Sequence, residues 1–193
     1  NMSESTEMAV NQIAALGARQ LAGILEGVSG ERLQELIALI DEAPHVYCCA
    51  AGRSLLMMRC MAMRLMHMGY ASYVVGDTTT PAFHEGDLLI CASGSGTTSC
   101  VLNVARKARD LGGRVACITI SEDSPLAELS DVVVSVPTFT DKGDFDASER
   151  TVMAGGSSFE HAVLLLSDAM VVPMAAARGF DINKGFPLHA NLE

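Results

Sequence analysis

Serine, glycine and threonine crowd one short stretch, Ser93-Gly-Ser-Gly-Thr-Thr98, directly behind an apolar run, Asp87-Leu-Leu-Ile-Cys-Ala92. A helical pattern begins at once with Ser99, Cys100, Val101 and Leu102. A strand that stops at glycines and hydroxyls and re-enters a helix aims several backbone N–H groups at one spot. Hydroxyl donors lie beside them and the positive end of a helix dipole lies behind. That is the chemistry of an anion cradle, and phosphate is its expected occupant. No Gly-Lys-Ser/Thr closes the stretch, and it lacks the third glycine of a dinucleotide fingerprint, so a nucleotide is not expected. A tight turn in which Ser95 or Thr97 merely caps the following helix is the competing reading. The density of hydroxyls and glycines at a strand's carboxyl end favours binding by Ser93, Gly94, Ser95, Gly96, Thr97 and Thr98.

A second glycine-bearing turn, Ala51-Gly-Arg-Ser54, follows an earlier apolar run. Gly52, Arg53 and Ser54 would add a close backbone approach, a cation and a hydroxyl to the cradle, although Ser54 fits equally well as a helix cap. Glu160 lies in Gly155-Gly-Ser-Ser-Phe-Glu160. There Ser157 and Glu160 have the spacing of a capping box, with the glutamate turned back onto the cap amide. A carboxylate in the first turn of a helix beside a crevice is also a plausible general base, and local sequence leaves the two roles balanced. His67 and His189 stand alone in their neighbourhoods, where a histidine is more often structural than catalytic. Asp141, Asp144, Asp146 and Glu149 do not fit a calcium loop and read as a solvated, mobile loop over 138–150.

Apolar runs at 45–50, 71–75, 87–92, 114–120 and 131–136 read as strands. They are continuously apolar rather than alternating, as parallel strands covered on both faces must be. Helical patterns at 54–68, 97–111, 125–129 and 157–178 separate or follow them, and two more cover 5–26 and 31–41. Strands alternating with helices predict an α/β fold, a doubly wound parallel sheet flanked by helices, behind an N-terminal helical extension. In such sheets ligands lie outside the carboxyl ends of the strands, where strand order reverses. If the first and third strands are neighbours, the two glycine turns flank one crevice. Six methionines between Met57 and Met68 spread over several faces of one helix, which predicts burial against more than one partner, another subunit among them.

With 193 residues and no obvious linker, a single domain over 1–193 is expected, residues 1–44 packing on it or on a neighbouring subunit. A formal net charge of −10 sets long-range repulsion against nucleic acid and anionic membranes alike, so a phosphorylated ligand must be held by local donors. No apolar run approaches the roughly 20 residues that cross a bilayer. Residues 1–7 lack the basic and apolar regions of a signal peptide. The six cysteines have no zinc-ligand spacing and fall mostly in apolar runs, as reduced core thiols would. A cytoplasmic protein without a bound metal is expected.

In Ala51-Gly-Arg-Ser54, Ala62-Met-Arg-Leu-Met-His-Met-Gly69, Val75-Gly-Asp-Thr-Thr-Thr-Pro81, Ser93–Thr98, Phe159-Glu160 and His189-Ala-Asn-Leu-Glu193, the chain resembles the sugar isomerase (SIS) domain. Within that superfamily it is similar to the 6-phospho-3-hexuloisomerases. The resemblance implies a five-stranded parallel three-layer sandwich, assembled as a homotetramer or homodimer. It also implies interconversion of D-arabino-hex-3-ulose 6-phosphate and D-fructose 6-phosphate with no cofactor. It would give the phosphate to Ser54 and Ser93–Thr98 and make Glu160 the catalytic base. The enediolate oxygens also need a donor, for which His67 or His189, from the same chain or from a neighbouring subunit, is a further candidate. An isomerase of another sugar phosphate, or a non-catalytic sugar-phosphate sensor, are the alternatives.

Overall fold

The computed structural model describes residues 8–139, 151–186 and 188–192. Two amphipathic helices come first, α1 (Val10–Glu26) and α2 (Gly30–Glu42). Ser29 caps α2 by accepting from the Arg32 N–H at 3.3 Å. There follow β1 (Val46–Ala50), α3 (Gly52–His67), β2 (Ser72–Val74), β3 (Leu88–Ala92), α4 (Ser99–Asp110), β4 (Arg114–Thr119), α5 (Pro125–Glu128), β5 (Val132–Ser135), α6 (Ser157–Ala177) and a short 3-10 turn (Ile182–Lys184). Residues 5–7 of the expected first helix, and 140–150 of the expected loop with its four acidic residues, lie outside the described residues. Thr138 and Phe139, at that loop's start, are buried.

All strand pairs are parallel, in the order β2-β1-β3-β4-β5. The side-chain alternation of a strand sorts the sheet onto two cores. Cys48, Ile90, Ala116, Ile118 and Val134 face a layer that includes α2, α3 and α6. Tyr47, Cys49, Leu89, Cys91, Val115 and Cys117 face α4 and α5. With both faces covered, every residue of β3 is buried, which is why the sequence shows unbroken apolar runs there. Four cysteines are buried, as expected of most of the six, whereas Cys60 and Cys100 are exposed on their helices. Burial pushes the Cys48 and Cys117 thiols up to about 12 and about 11, so they pack as neutral groups.

The chain leaves β1 for one edge and β3 for the other, so strand order reverses between these two neighbours. Their register pairs Ala50 with Ala92. Both strands therefore end level, and the turns after them stand side by side at the carboxyl edge of the sheet. α6 is a partial exception to the expectation about apolar runs. Its 21 residues are long and apolar enough to cross a bilayer, yet half of that stretch is buried within the domain. Phe159, Ala162, Val163, Leu166, Met170 and Met174 form the buried face.

Candidate active site

Three helices begin at the hollow beside the β1 and β3 ends, and none has a side chain closing its N-terminus. α3 starts behind Ala51, an alanine that carries no capping group. Gly52 at its first position adopts φ +59°, a left-handed conformation that glycine reaches without strain. Ser54 is thus inside the first turn and is not the cap, which corrects that part of the sequence expectation. α4 starts behind Thr98, whose Oγ1 lies 3.0 Å from Ser93 Oγ instead of bonding its own helix. α6 starts behind Gly156. The expected capping box of Ser157 and Glu160 does not form: Ser157 Oγ donates to the Ala154 carbonyl at 2.6 Å, and the Glu160 carboxylate turns outward to Arg53. The first-turn N–H groups of α3 and α4, each turn carrying about half a positive charge, are left for a ligand; in α6 the Ser157 and Phe159 N–H groups already donate to the Ala154 and Gly156 carbonyls, which leaves that of Ser158.

The hollow has a volume of about 320 Å³, enough for a small metabolite. Gly52, Arg53, Ser54, Ser93, Gly94, Ser95, Thr98 and Glu160 line it. The serine turn is braced from behind. Ser93 Oγ accepts from the Gly96 N–H at 3.2 Å, and the Gly96 carbonyl accepts from the Leu126 N–H at 3.2 Å. Gly96 itself has φ +63°, and a β-carbon there would sit 2.0 Å from Ser124 Oγ. Gly96 and Thr97 therefore shape the turn without lining the hollow. Thr97 is exposed and holds Ser95, accepting no ligand-facing position of its own; its N–H and hydroxyl reach Ser95 Oγ at 3.3 and 3.0 Å.

Glu160 is 14 % exposed at its side chain and its Oε2 accepts from Arg53 Nε in a short, charge-assisted contact. The apolar wall, Ile120 and Phe159 with Ala51, Ala92 and Gly156, went unmarked as binding residues in the sequence. Ile120 follows the end of β4, so the carboxyl-end rule held the signal for it.

His67 and His189 are not among the residues that line this hollow. His67 closes α3, about 22 Å along the helix axis from Gly52 at 1.5 Å per residue. Its ring is buried, stacked 4.9 Å from His189 and 5.5 Å from Phe186, and its Nδ1 has no hydrogen-bond partner among the described residues. Burial first, then the charges of His189 and Arg64, hold its pKa below the ordinary histidine value. Among the described residues the exposed His189 makes one hydrogen bond, between Nδ1 and the Ala190 carbonyl oxygen at 3.1 Å.

A parallel sheet with its reversal point between β1 and β3, and a hydroxyl-rich turn beside three open helix starts, defines a class of protein. The model of the SIS domain family matches residues 39–169, and the chain belongs to that family. Among its relatives is the 3-hexulose-6-phosphate isomerase of Bacillus subtilis, 38% identical over 166 residues, 86% of this chain and 89% of that protein. The 3-hexulose-6-phosphate isomerase of Mycobacterium gastri is 40% identical over 176 residues, 90% of this chain and 86% of the relative. A solved protein of Methanococcus jannaschii, described as inferring a 3-hexulose-6-phosphate isomerase function, superposes with a TM-score of 0.79 at 30% identity. That match covers 93% of this chain and 98% of the other.

Proposed function

We propose that the chain is a cofactor-free sugar-phosphate isomerase that interconverts D-arabino-hex-3-ulose 6-phosphate and D-fructose 6-phosphate. One observation carries the proposal: the Glu160 carboxylate opens into the same hollow as three uncapped helix N-termini. The names and extents of the relatives at 38% and 40% identity support the choice of sugar.

The 6-phosphate rests on the first-turn N–H groups of α3 and α4 and on the Ser54, Ser93, Ser95 and Thr98 hydroxyls. Its binding energy fixes the carbon chain for the chemical step. Glu160 takes the C2 proton of the 3-ketose, and the electron pair moves through C2–C3 onto O3, giving an enediolate. Transfer of the O2 proton and return of the carbon-bound proton to C3 leave the ketone at C2. A positioned base contributes roughly 10²–10⁴-fold. The enediolate oxygens need a donor, and this falls to the exposed His189 of a second copy, since its own chain holds it at the far end of α3, over the buried His67. The working form is accordingly a homodimer or homotetramer, in the cytoplasm.

Glu160→Gln is expected to keep fructose 6-phosphate binding within a few-fold while turnover falls at least about 10²-fold. Ketose conversion followed by NMR, beside calorimetric binding, measures both. Turnover unchanged in this variant would remove Glu160 from the chemistry.

A further inference from the structure

Building on the isomerase function above, we propose that Arg53 is a positioning residue that couples the grip on the phosphate to the aim of the Glu160 carboxylate. Arg53 is the second residue of α3, between Gly52 and Ser54 on the wall of the hollow. Its Nε donates to Glu160 Oε2 across 107 residues of sequence, tying the start of α3 to the start of α6. Among the described residues neither side chain has another hydrogen bond, so the Nη1/Nη2 edge of the guanidinium and Glu160 Oε1 are both free.

A guanidinium is a planar fork of five donors, able to serve two anions along two edges at once. Here one edge already holds the carboxylate, and the free edge lies in a hollow built for phosphate. The charge balance requires such a bridge. A phosphate dianion entering beside a carboxylate, in a chain of net charge −10, meets like charge that a cation placed between the two relieves most directly. Among the described residues Arg53 is the one cation on the wall of the hollow. With Oε2 held, Oε1 is the oxygen left to meet the substrate carbon. The Arg53 side chain is 62 % exposed, and pairs so open contribute little to folding. The contact therefore serves the site more than the fold. A lysine brings the charge but not the second edge.

Arg53→Lys and Arg53→Ala test this with fructose 6-phosphate, reading kcat and KM by NMR of solvent hydrogen exchange and product. Arg53→Lys is expected to hold KM within a few-fold while kcat falls about 30- to 100-fold, the scale of a misaimed catalytic group. Arg53→Ala is expected to lose kcat and raise KM together, and added guanidinium to restore its kcat saturably. A kcat unchanged in both variants, with only KM raised, would make Arg53 a simple phosphate ligand and overturn the proposal. A fall in kcat that guanidinium leaves untouched would overturn it as well. If the unaltered chain exchanges no carbon-bound hydrogen of fructose 6-phosphate, the isomerase function fails first and takes this coupling with it.

Discussion

At the scale of single residues, two glycines with nearly the same backbone angle have different reasons to be glycine. Gly52 at φ +59° has nothing within 4 Å of where a β-carbon would stand, because it faces the hollow. Gly96 at φ +63° would press a β-carbon into Ser124 Oγ and Cβ, at 2.0 and 2.3 Å. Gly52→Ala is therefore expected to cost about 1–2 kcal/mol, the backbone contribution alone. Gly96→Ala adds a collision with the residue that caps α5 through the Ala127 N–H, and should lose about 2–4 kcal/mol in all. Urea unfolding of the two variants side by side measures the difference, and equal losses would refute the account of Gly96. The same collision pushes the serine turn away from Ser124, so Gly96→Ala should also raise the KM for a sugar phosphate more than it lowers kcat.

At the scale of elements, the sequence carries the strands and the helix order because both rest on patterns a few residues long. Continuous apolar runs at 87–92 and 114–120 became β3 and β4, shortened by one residue at one end each. The pairing of β1 with β3 was legible only as a condition, since register is set by contacts between distant segments. The caps were the least legible. Ser-x-x-Glu before α6 reads locally as a capping box, but Arg53, 107 residues away, outbids the cap amide for the carboxylate. Likewise no spacing rule tells that Ser54 lies inside α3 or that His67 is sealed under Phe186 and His189. That seal has a consequence at the far end of α3. The native His67 ring, flanked by His189, Phe186 and the Arg64–Asp168 pair, stays neutral where a free imidazole takes a proton near pH 6.5. Below that pH the unfolded chain binds more protons than the native one, so stability is complete above pH 6.5 and falls as pH drops toward the lower native value. His67→Phe removes this titration. Its unfolding free energy should fall less steeply than that of the unaltered chain between pH 7.5 and 5.5, and parallel slopes would exclude His67 as the source.

At the scale of the whole molecule, a chain with Glu160, the proposed base, near one end of α3 and His189 near the other cannot join the two by itself. The outer face of the α3–α6 layer is apolar where a lone chain meets water. Leu56 and Met63, seven residues apart on α3, are 56% and 57% exposed, and Leu165 and Val172, seven apart on α6, are 45% and 52% exposed. The spacing puts each pair on one side of its helix. A charge placed there, Met63→Glu, is expected to lower the native mass in sedimentation while leaving the circular dichroism of the helices intact; an unaltered mass would clear this face of any role in assembly. A shared site makes a further demand that a self-contained one does not. In an isologous pair each copy would lend its His189 to the other's hollow, so a mixed pair of Glu160→Gln and His189→Asn copies carries both lesions at one site and neither at the other. Each variant alone should then be nearly inactive, while unfolding and refolding the two together should restore a clear fraction of the turnover. Mixtures that stay as inactive as their components, though sedimentation finds them assembled, would confine Glu160 to the donors of its own chain and leave His189 a surface histidine that covers His67.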